Sequence, residues 1–215
     1  MGVRRVGLVA VVVLGLLASP GSPVHAARRT HALFFGDSLF AGSGARPYQP
    51  VQVQTANRAL GWQGALDTFG GTGYTTGGLH GRPYLQRLQR DGFLRTSYDV
   101  IVLEGGTNDA LHGSLPELND AALAVVDYVQ HRQPKAQIVL VGGFAPSGAS
   151  TERYVDADRV LAAVAADRGL VYISQLKYGP AARRGFYSRD DLHPTTIGYR
   201  QMGHDLATAL AAAAG

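Results

Sequence analysis

Two short runs of aliphatic residues constrain the fold of this chain most strongly. They are Asp99–Leu103 (DVIVL) and Ala136–Val141 (AQIVLV), and a glycine pair follows each within two residues. Short apolar runs without polar alternation are typical of strands that are buried on both faces of a sheet. Because such a sheet needs helices on both sides, these runs favour an α/β protein with a parallel sheet.

The rest of the chain alternates between strand-like and helix-like segments. Further strands are predicted at 31–36, 63–68 and 170–173, and helices at 51–60, 83–94, 116–132, 151–168 and 195–213. The sequence contains no internal repeat and no linker, so the alternation predicts one domain. In open parallel sheets the ligand sites lie beyond the carboxyl ends of the strands, which directs attention to the residues there.

The first 26 residues have the pattern of a secretory signal peptide. Arg4 and Arg5 precede an uncharged apolar stretch, and Val24-His25-Ala26 has the small-x-small pattern of a cleavage site. The stretch is shorter than the ~20 residues that a membrane span needs. An uncleaved anchor and a twin-arginine signal are the alternatives. We therefore expect an exported protein, secreted or associated with the cell envelope, whose folded domain is 27–215.

Composition narrows the chemistry that this domain can use. The 215 residues include no cysteine, which excludes disulfides, thiolate metal sites and a cysteine nucleophile. The formal net charge is only +4, and cleavage after Ala26 would remove two arginines. Isolated pairs such as Arg183-Arg184 do not form a nucleic-acid-binding surface. No HExxH or phosphate-loop motif is present, so we expect neither a metal nor a nucleotide.

Polar residues and glycines follow the predicted strands. Gly36-Asp37-Ser38-Leu39 follows the first strand, Gly70-Gly71-Thr72-Gly73 the second, and Gly106-Thr107-Asn108-Asp109 the third, while Asp190-Asp191-Leu192-His193 precedes the last helix. Taken singly, each segment is most often a turn or a helix cap. Together they supply a hydroxyl nucleophile, an amide donor for an oxyanion and an acid–imidazole pair, which are the parts needed for acyl transfer.

Other polar residues near these segments are expected to have supporting roles. We expect Asp37 and Asp109 to brace the loops through hydrogen bonds, and Glu104 either to support the site or to face the substrate. Asp191 is an alternative to Asp190 as the partner of His193, but the i to i+3 spacing favours Asp190.

These four segments resemble the four sequence blocks of the GDSL or SGNH hydrolases, a family of serine esterases and lipases. The first, third and fourth segments match the family pattern, whereas the second has Thr72-Gly73 where the family often has Ser-Gly. The resemblance covers the chain from about Phe34 to Pro194. It implies a flavodoxin-like three-layer α/β/α sandwich and ester hydrolysis through an acyl-enzyme, without a cofactor.

The resemblance also implies a role for each matching residue. Ser38 is then the nucleophile, His193 is the general base and later the acid, and Asp190 orients His193. The backbone N–H groups of Ser38 and Gly73 and the side chain of Asn108 would hold the oxyanion.

The substrate is less constrained than the reaction. No long insertion resembles a lid, so an open site is expected, which favours small acyl esters and O-acetyl groups on cell-envelope polysaccharide. A lipase or phospholipase, a thioesterase, a sugar acyltransferase and a non-catalytic envelope-binding domain are the alternatives, and the sequence does not predict an oligomeric state.

Overall fold

A five-stranded parallel sheet is the centre of the fold. The computed structural model describes residues 28–47, 51–179 and 185–213, so the predicted signal peptide lies outside the described residues. The strands in this part of the chain are β1 His31–Gly36, β2 Gln63–Thr68, β3 Val100–Gly105, β4 Gln137–Gly142 and β5 Val171–Ile173. Their order across the sheet is β2-β1-β3-β4-β5, which is the flavodoxin-like order.

Seven α-helices accompany the strands in the described ranges. They are α1 Ser38–Ala41, α2 Gln52–Leu60, α3 Tyr84–Arg90, α4 Thr107–His112, α5 Leu115–Arg132, α6 Glu152–Asp167 and α7 Thr196–Ala213. Single 3₁₀ turns occur at Gly78–His80, Phe93–Arg95 and Leu176–Tyr178. Of the helices described, none has the length and apolar character that crossing a membrane requires.

Alternate residues of the central strands supply two apolar cores, one on each face of the sheet. Leu33, Phe35 and Leu103 belong to the core formed with α3, α5 and α6. Phe34 and Val102 belong to the core formed with α2 and α7. The predicted three-layer α/β/α sandwich is therefore confirmed.

Two differences from the predicted elements have local causes. The helix predicted at 83–94 ends at Arg90, because Gly92 adopts a left-handed φ of 76° and a 3₁₀ turn follows it. The short helices α1 and α4 were not predicted, since helices of four and six residues are too short to show helical periodicity.

The topology places a crevice between the segments that follow β1 and β3. The connection from β1 leads to β2 on one side, and the chain then crosses β1 to form β3 on the other side. The two following segments therefore diverge, which is the arrangement that creates ligand sites in open α/β sheets. Ser38 begins the segment after β1, and Asn108 lies in the segment after β3.

Helix α7 approaches α2 closely at Gly203. A Cβ atom at this position would lie 2.5 Å from the Cβ of Thr55 and 2.7 Å from the carbonyl oxygen of Gln52. These contacts are shorter than van der Waals distances, and one of them is with backbone. The glycine is therefore what permits the two helices to pack at this separation.

We expect Gly203→Ala to lower the free energy of unfolding by about 1–3 kcal/mol through overpacking. In an exposed helix the same substitution would stabilise by about 1 kcal/mol, so the sign of the change is diagnostic. Urea unfolding measures it, and His204→Ala, at the exposed neighbouring position, should change stability by no more than about 0.5 kcal/mol. An unchanged or higher stability of Gly203→Ala would contradict the close helix contact.

Candidate active site

Ser38 lies at the carboxyl end of β1 as the first residue of α1. The side chain of the preceding residue, Asp37, accepts a hydrogen bond from the Leu39 backbone N–H at 2.8 Å and so caps the helix. The helix ends after one turn because Gly42 has a φ of 81°, in the left-handed region that favours glycine. This tight strand-to-helix turn fixes where the Ser38 hydroxyl lies.

The structure brings Ser38, His193 and Asp190 together in a chain of hydrogen bonds. The Oγ of Ser38 lies 2.9 Å from Nε2 of His193, and Nδ1 of His193 lies 2.7 Å from Oδ2 of Asp190. With Asp190 ionised, Nδ1–H donates to the carboxylate and Nε2 accepts from the serine hydroxyl. This tautomer leaves the imidazole ready to take the serine proton.

The Asp190 carboxylate is held by several donors of its own loop. Its Oδ1 accepts from the Ser188 hydroxyl at 2.7 Å, from the His193 backbone N–H at 2.9 Å and from the Leu192 N–H at 3.0 Å. Partial burial pushes the pKa of Asp190 up, but the bonds from His193, Ser188 and Leu192 outweigh burial and hold the pKa below its ordinary value. Asp190 therefore stays ionised beside the imidazole.

The next residue, Asp191, shapes this loop rather than contacting His193. Its backbone has a φ of 53°, and its carbonyl oxygen accepts from the Ser147 N–H at 2.8 Å. The sequence preference for Asp190 over Asp191 thus agrees with the geometry. Sequence reasoning missed the contribution of Ser188, because a single serine in a polar loop carries no signal of its own.

Asn108 joins the segments that follow three strands. Its Nδ2 donates to Oδ2 of Asp37 at 2.7 Å and to the carbonyl oxygen of Thr72 at 2.9 Å. Both amide hydrogens therefore have protein acceptors, and the amide is fixed between β1 and the loop after β2. An oxyanion could receive the second hydrogen only by sharing it with Thr72.

Gly73, predicted to donate its backbone N–H to an oxyanion, has an acceptor for that group in this structure. Its backbone N–H donates to the carbonyl oxygen of Thr76 at 2.8 Å, so this group is committed within its own loop. A Cβ at Gly73 would lie 2.5 Å from Oδ2 of Asp109, which explains why glycine is required there. The glycine beside Ser38 is Gly70, where a Cβ would lie 3.7 Å from the Cβ of Ser38.

Asp109 braces the same loop, as the sequence predicted. One of its oxygens accepts from the Thr75 N–H at 2.7 Å and from the Thr75 hydroxyl at 2.8 Å, and the other accepts from the Tyr74 N–H at 3.2 Å. The loop after β2 is therefore attached to α4, next to Asn108.

Arg87 of α3 is a buried residue that sequence reasoning missed. Its guanidinium donates to the carbonyl oxygen of Gly36 at 2.9 Å, to the Thr72 hydroxyl at 2.8 Å and to Oδ1 of Asp67 at 2.6 Å. It also lies over the ring of Phe35, 4.3 Å from the centroid. The sequence feature that could have indicated its burial is its position three residues after Tyr84, which places it on the apolar face of α3.

Two further carboxyl groups, those of Asp37 and Glu104, are completely buried beneath Ser38. Oε2 of Glu104 accepts from the Asp37 backbone N–H at 3.2 Å. Burial raises the pKa of Asp37 to about 6 and raises the pKa of Glu104 well above its usual range. Burial therefore favours the neutral form of Glu104, which lies below the site rather than facing a substrate.

Across the described residues, no cluster of three His, Asp or Glu side chains could hold a metal ion. The site as built contains a hydroxyl hydrogen-bonded to an imidazole, which in turn is oriented by an ionised carboxylate. Such an arrangement activates a hydroxyl as a nucleophile by general base catalysis.

Comparisons with known proteins agree with this geometry. The GDSL-like Lipase/Acylhydrolase family model matches residues 34–201 of the chain. A search of curated proteins returns no match.

Solved structures of several enzymes share the fold. A carbohydrate esterase family 2 enzyme with a carbohydrate binding domain, from Corynascus thermopiles (Myceliophthora fergusii), has a TM-score of 0.72 and 19% identity, over 92% of this chain and 69% of that chain. A lipase from a goat rumen metagenome has a TM-score of 0.61 and 17% identity, over 84% and 97%. A salicylyl-acyltransferase from a tetracycline biosynthetic pathway has a TM-score of 0.67 and 20% identity, over 87% and 55%.

At these identities the structural likeness shows the fold alone, and the family is shown by the sequence model. Because that model spans most of the chain, the protein belongs to the GDSL-like lipase/acylhydrolase family of carboxylic ester hydrolases.

Proposed function

We propose that the protein is an exported serine esterase in which Ser38, His193 and Asp190 form the catalytic triad. The observation that carries the proposal is the 2.9 Å contact between Ser38 Oγ and His193 Nε2, with His193 Nδ1 2.7 Å from Asp190. Export is supported by the N-terminal sequence pattern alone.

The reaction follows from these contacts. Ser38 Oγ attacks the ester carbonyl carbon while its proton passes to Nε2 of His193. When the tetrahedral intermediate collapses, the bond to the alcohol oxygen breaks and His193 returns the proton to that oxygen. A water molecule then attacks the acyl-enzyme, again losing its proton to His193, and the acid is released with the serine restored.

The oxyanion of the intermediate needs fixed donors, each worth about 2.7–4 kcal/mol. We assign the Ser38 N–H as one donor and the Asn108 amide, whose hydrogen is shared with Thr72, as another. In place of Gly73 we assign the backbone at Gly70 and Gly71. The N–H groups of these two glycines and of Ser38 have no acceptor within the described part of the chain.

Glu104 is a positioning residue for the nucleophile. It accepts from the Asp37 N–H, one residue before Ser38, and a Cβ at Gly36 would lie 2.5 Å from its Oε2. The glycine of the first sequence block therefore leaves the space that the buried acid occupies. Ionisation of Glu104 would place an uncompensated charge there and would destabilise the fold.

The substrates that fit best are small acyl esters, including O-acetyl groups on carbohydrate. An open cleft of about 580 Å³ lies beside Ser38, and its wall consists of Phe69, Gly70, Gly71, Thr76, Gly78, Leu79 and His112. Because the cleft is open, it does not enclose a long acyl chain. The structural likeness to a carbohydrate esterase supports the same choice, while the likeness to a lipase makes a lipase or thioesterase the second candidate.

The test of the mechanism is Ser38→Ala. We expect kcat/KM for 4-nitrophenyl acetate to fall by at least about 10⁴-fold, because the covalent step is lost. A fluorophosphonate should label the wild type on Ser38 and should not label the variant. Ser97→Ala, an exposed serine near the opposite end of β3, is the matched control. Full activity of Ser38→Ala would disprove the assignment, and an unlabelled, inactive wild type would favour a non-catalytic binding domain.

The acyl preference is tested with 4-nitrophenyl esters of increasing chain length. We expect kcat/KM to be highest for acetate and to fall as the chain lengthens, since the open cleft beside Ser38 does not enclose a long chain. A rise in kcat/KM toward chains of eight or more carbons would instead assign the enzyme as a lipase.

The buried acid is tested through the pH dependence of stability. Because the folded state keeps Glu104 protonated above the usual pKa, folding takes up a proton, and stability falls as pH rises, by up to about 1.4 kcal/mol per pH unit. Glu104→Gln keeps the shape and cannot ionise. We therefore expect the variant's free energy of unfolding, relative to wild type, to increase from about pH 5 to about pH 8.

Urea unfolding at each pH gives this difference, and the exposed Glu117→Gln of α5 controls for exchanging an acid for an amide. A difference that stays constant with pH would contradict a neutral Glu104. The kcat of Glu104→Gln should stay near that of wild type, whereas Glu104→Ala should lose kcat because Asp37 loses its acceptor.

A further inference from the structure

A second cleft, rich in arginine, lies beside the loop that carries His193. Its volume is about 560 Å³, and its polar wall includes Arg46, Ser188, Arg189, Thr195, Thr196 and Arg200. The described residues that line it include no carboxylate. We call it the arginine cleft.

The arginine cleft and the proposed active site share a wall. Ser188 lines the cleft and donates its hydroxyl to Oδ1 of Asp190 at 2.7 Å. Gly44 lines it too, and a Cβ there would lie 2.7 Å from the Cβ of His193. A substrate held at the reacting groups could therefore extend into the cleft.

Two of the arginines in this cleft are available to a ligand. Arg46 and Arg189 are exposed, and neither forms an ion pair within the ranges that the structure describes. Asp190, which accepts from Ser188 of the shared wall, has its carboxylate engaged by His193. The wall also contains the first turn of α7, where Thr196 Oγ1 accepts from the Arg46 N–H at 3.1 Å. A helix N-terminus adds a further positive potential to that of the arginines.

We propose that the arginine cleft binds a carboxylate on the carbohydrate part of the ester, so that the enzyme acts on O-acylated acidic saccharides. This assignment of the substrate class rests on the proposed function. The planar guanidinium group matches a carboxylate in a two-bond geometry, and the hydroxyls of Ser188, Thr195 and Thr196 can bond to sugar hydroxyls.

A lipid surface fits the same region less well. Among the described residues the large apolar side chains that are strongly exposed are Leu79 and Ile197, and they line two separate clefts. Two isolated side chains do not form the contiguous apolar patch that marks a membrane-binding surface. The positive charge therefore favours a soluble acidic carbohydrate over an anionic membrane.

The test compares acetylated oligogalacturonate with acetylated cello-oligosaccharide, which carry the same acyl group with and without carboxylates. We expect wild type to prefer the acidic substrate in kcat/KM. In the double variant Arg46→Gln/Arg189→Gln the acidic-to-neutral ratio should fall about tenfold, because charge-assisted hydrogen bonds are lost. Added salt should lower the wild-type ratio through screening. Arg132→Gln, an exposed arginine on α5, should leave the ratio unchanged.

A binding measurement separates this proposal from the proposed function. Calorimetry with Ser38→Ala and unacetylated oligogalacturonate needs no turnover, so binding that requires Arg46 and Arg189 supports the cleft even if esters are not hydrolysed. No binding, or an acidic-to-neutral ratio that the double variant leaves unchanged, would overturn it. Arginine-dependent binding to phosphatidylglycerol vesicles without binding to oligogalacturonate would overturn it in favour of a membrane.

Discussion

The site depends on side-chain hydrogen bonds that join the carboxyl ends of three parallel strands. Asn108, after β3, donates to Asp37 after β1 and to Thr72 after β2. Arg87 of α3 also joins the end of β1 to the loop after β2, because it donates hydrogen bonds to both Gly36 and Thr72. The strand register fixes where each backbone ends, and these bonds fix how the following turns face one another. The position of the Ser38 hydroxyl follows from both.

Burial gives the carboxyl groups around Ser38 different states. Asp190 is close to solvent and has donors at both oxygens, which keeps it ionised beside His193. Glu104 is enclosed beneath the turn that carries Ser38, and burial favours its neutral form. The carboxylate of Asp190 is thus suited to stabilise an imidazolium, whereas the carboxyl group of Glu104 is a buried hydrogen-bonding group. The local environment decides between these two states.

The sequence predicted the strands and the helices on both faces of the sheet, because apolar runs report on backbone position, and the resemblance to the GDSL or SGNH hydrolases implied that Ser38, Asp190 and His193 lie together. It did not predict that Gly70 lies beside Ser38 or that the Gly73 N–H bonds within its own loop, since these glycines differ in their dihedral angles and partners rather than in residue type. Arg87 and the arginine cleft were also missed. Their roles arise from contacts between residues far apart in the chain, which no local pattern records.

The contact between Ser38 and His193 spans 155 positions and ends at the loop before α7. Synthesis from the N-terminus delivers Ser38 early and His193 almost last. Until α7 has docked on α2, His193 is not held beside the Ser38 hydroxyl. If the proposed esterase is exported, as we propose, in an extended state, it would gain activity only after it has folded outside.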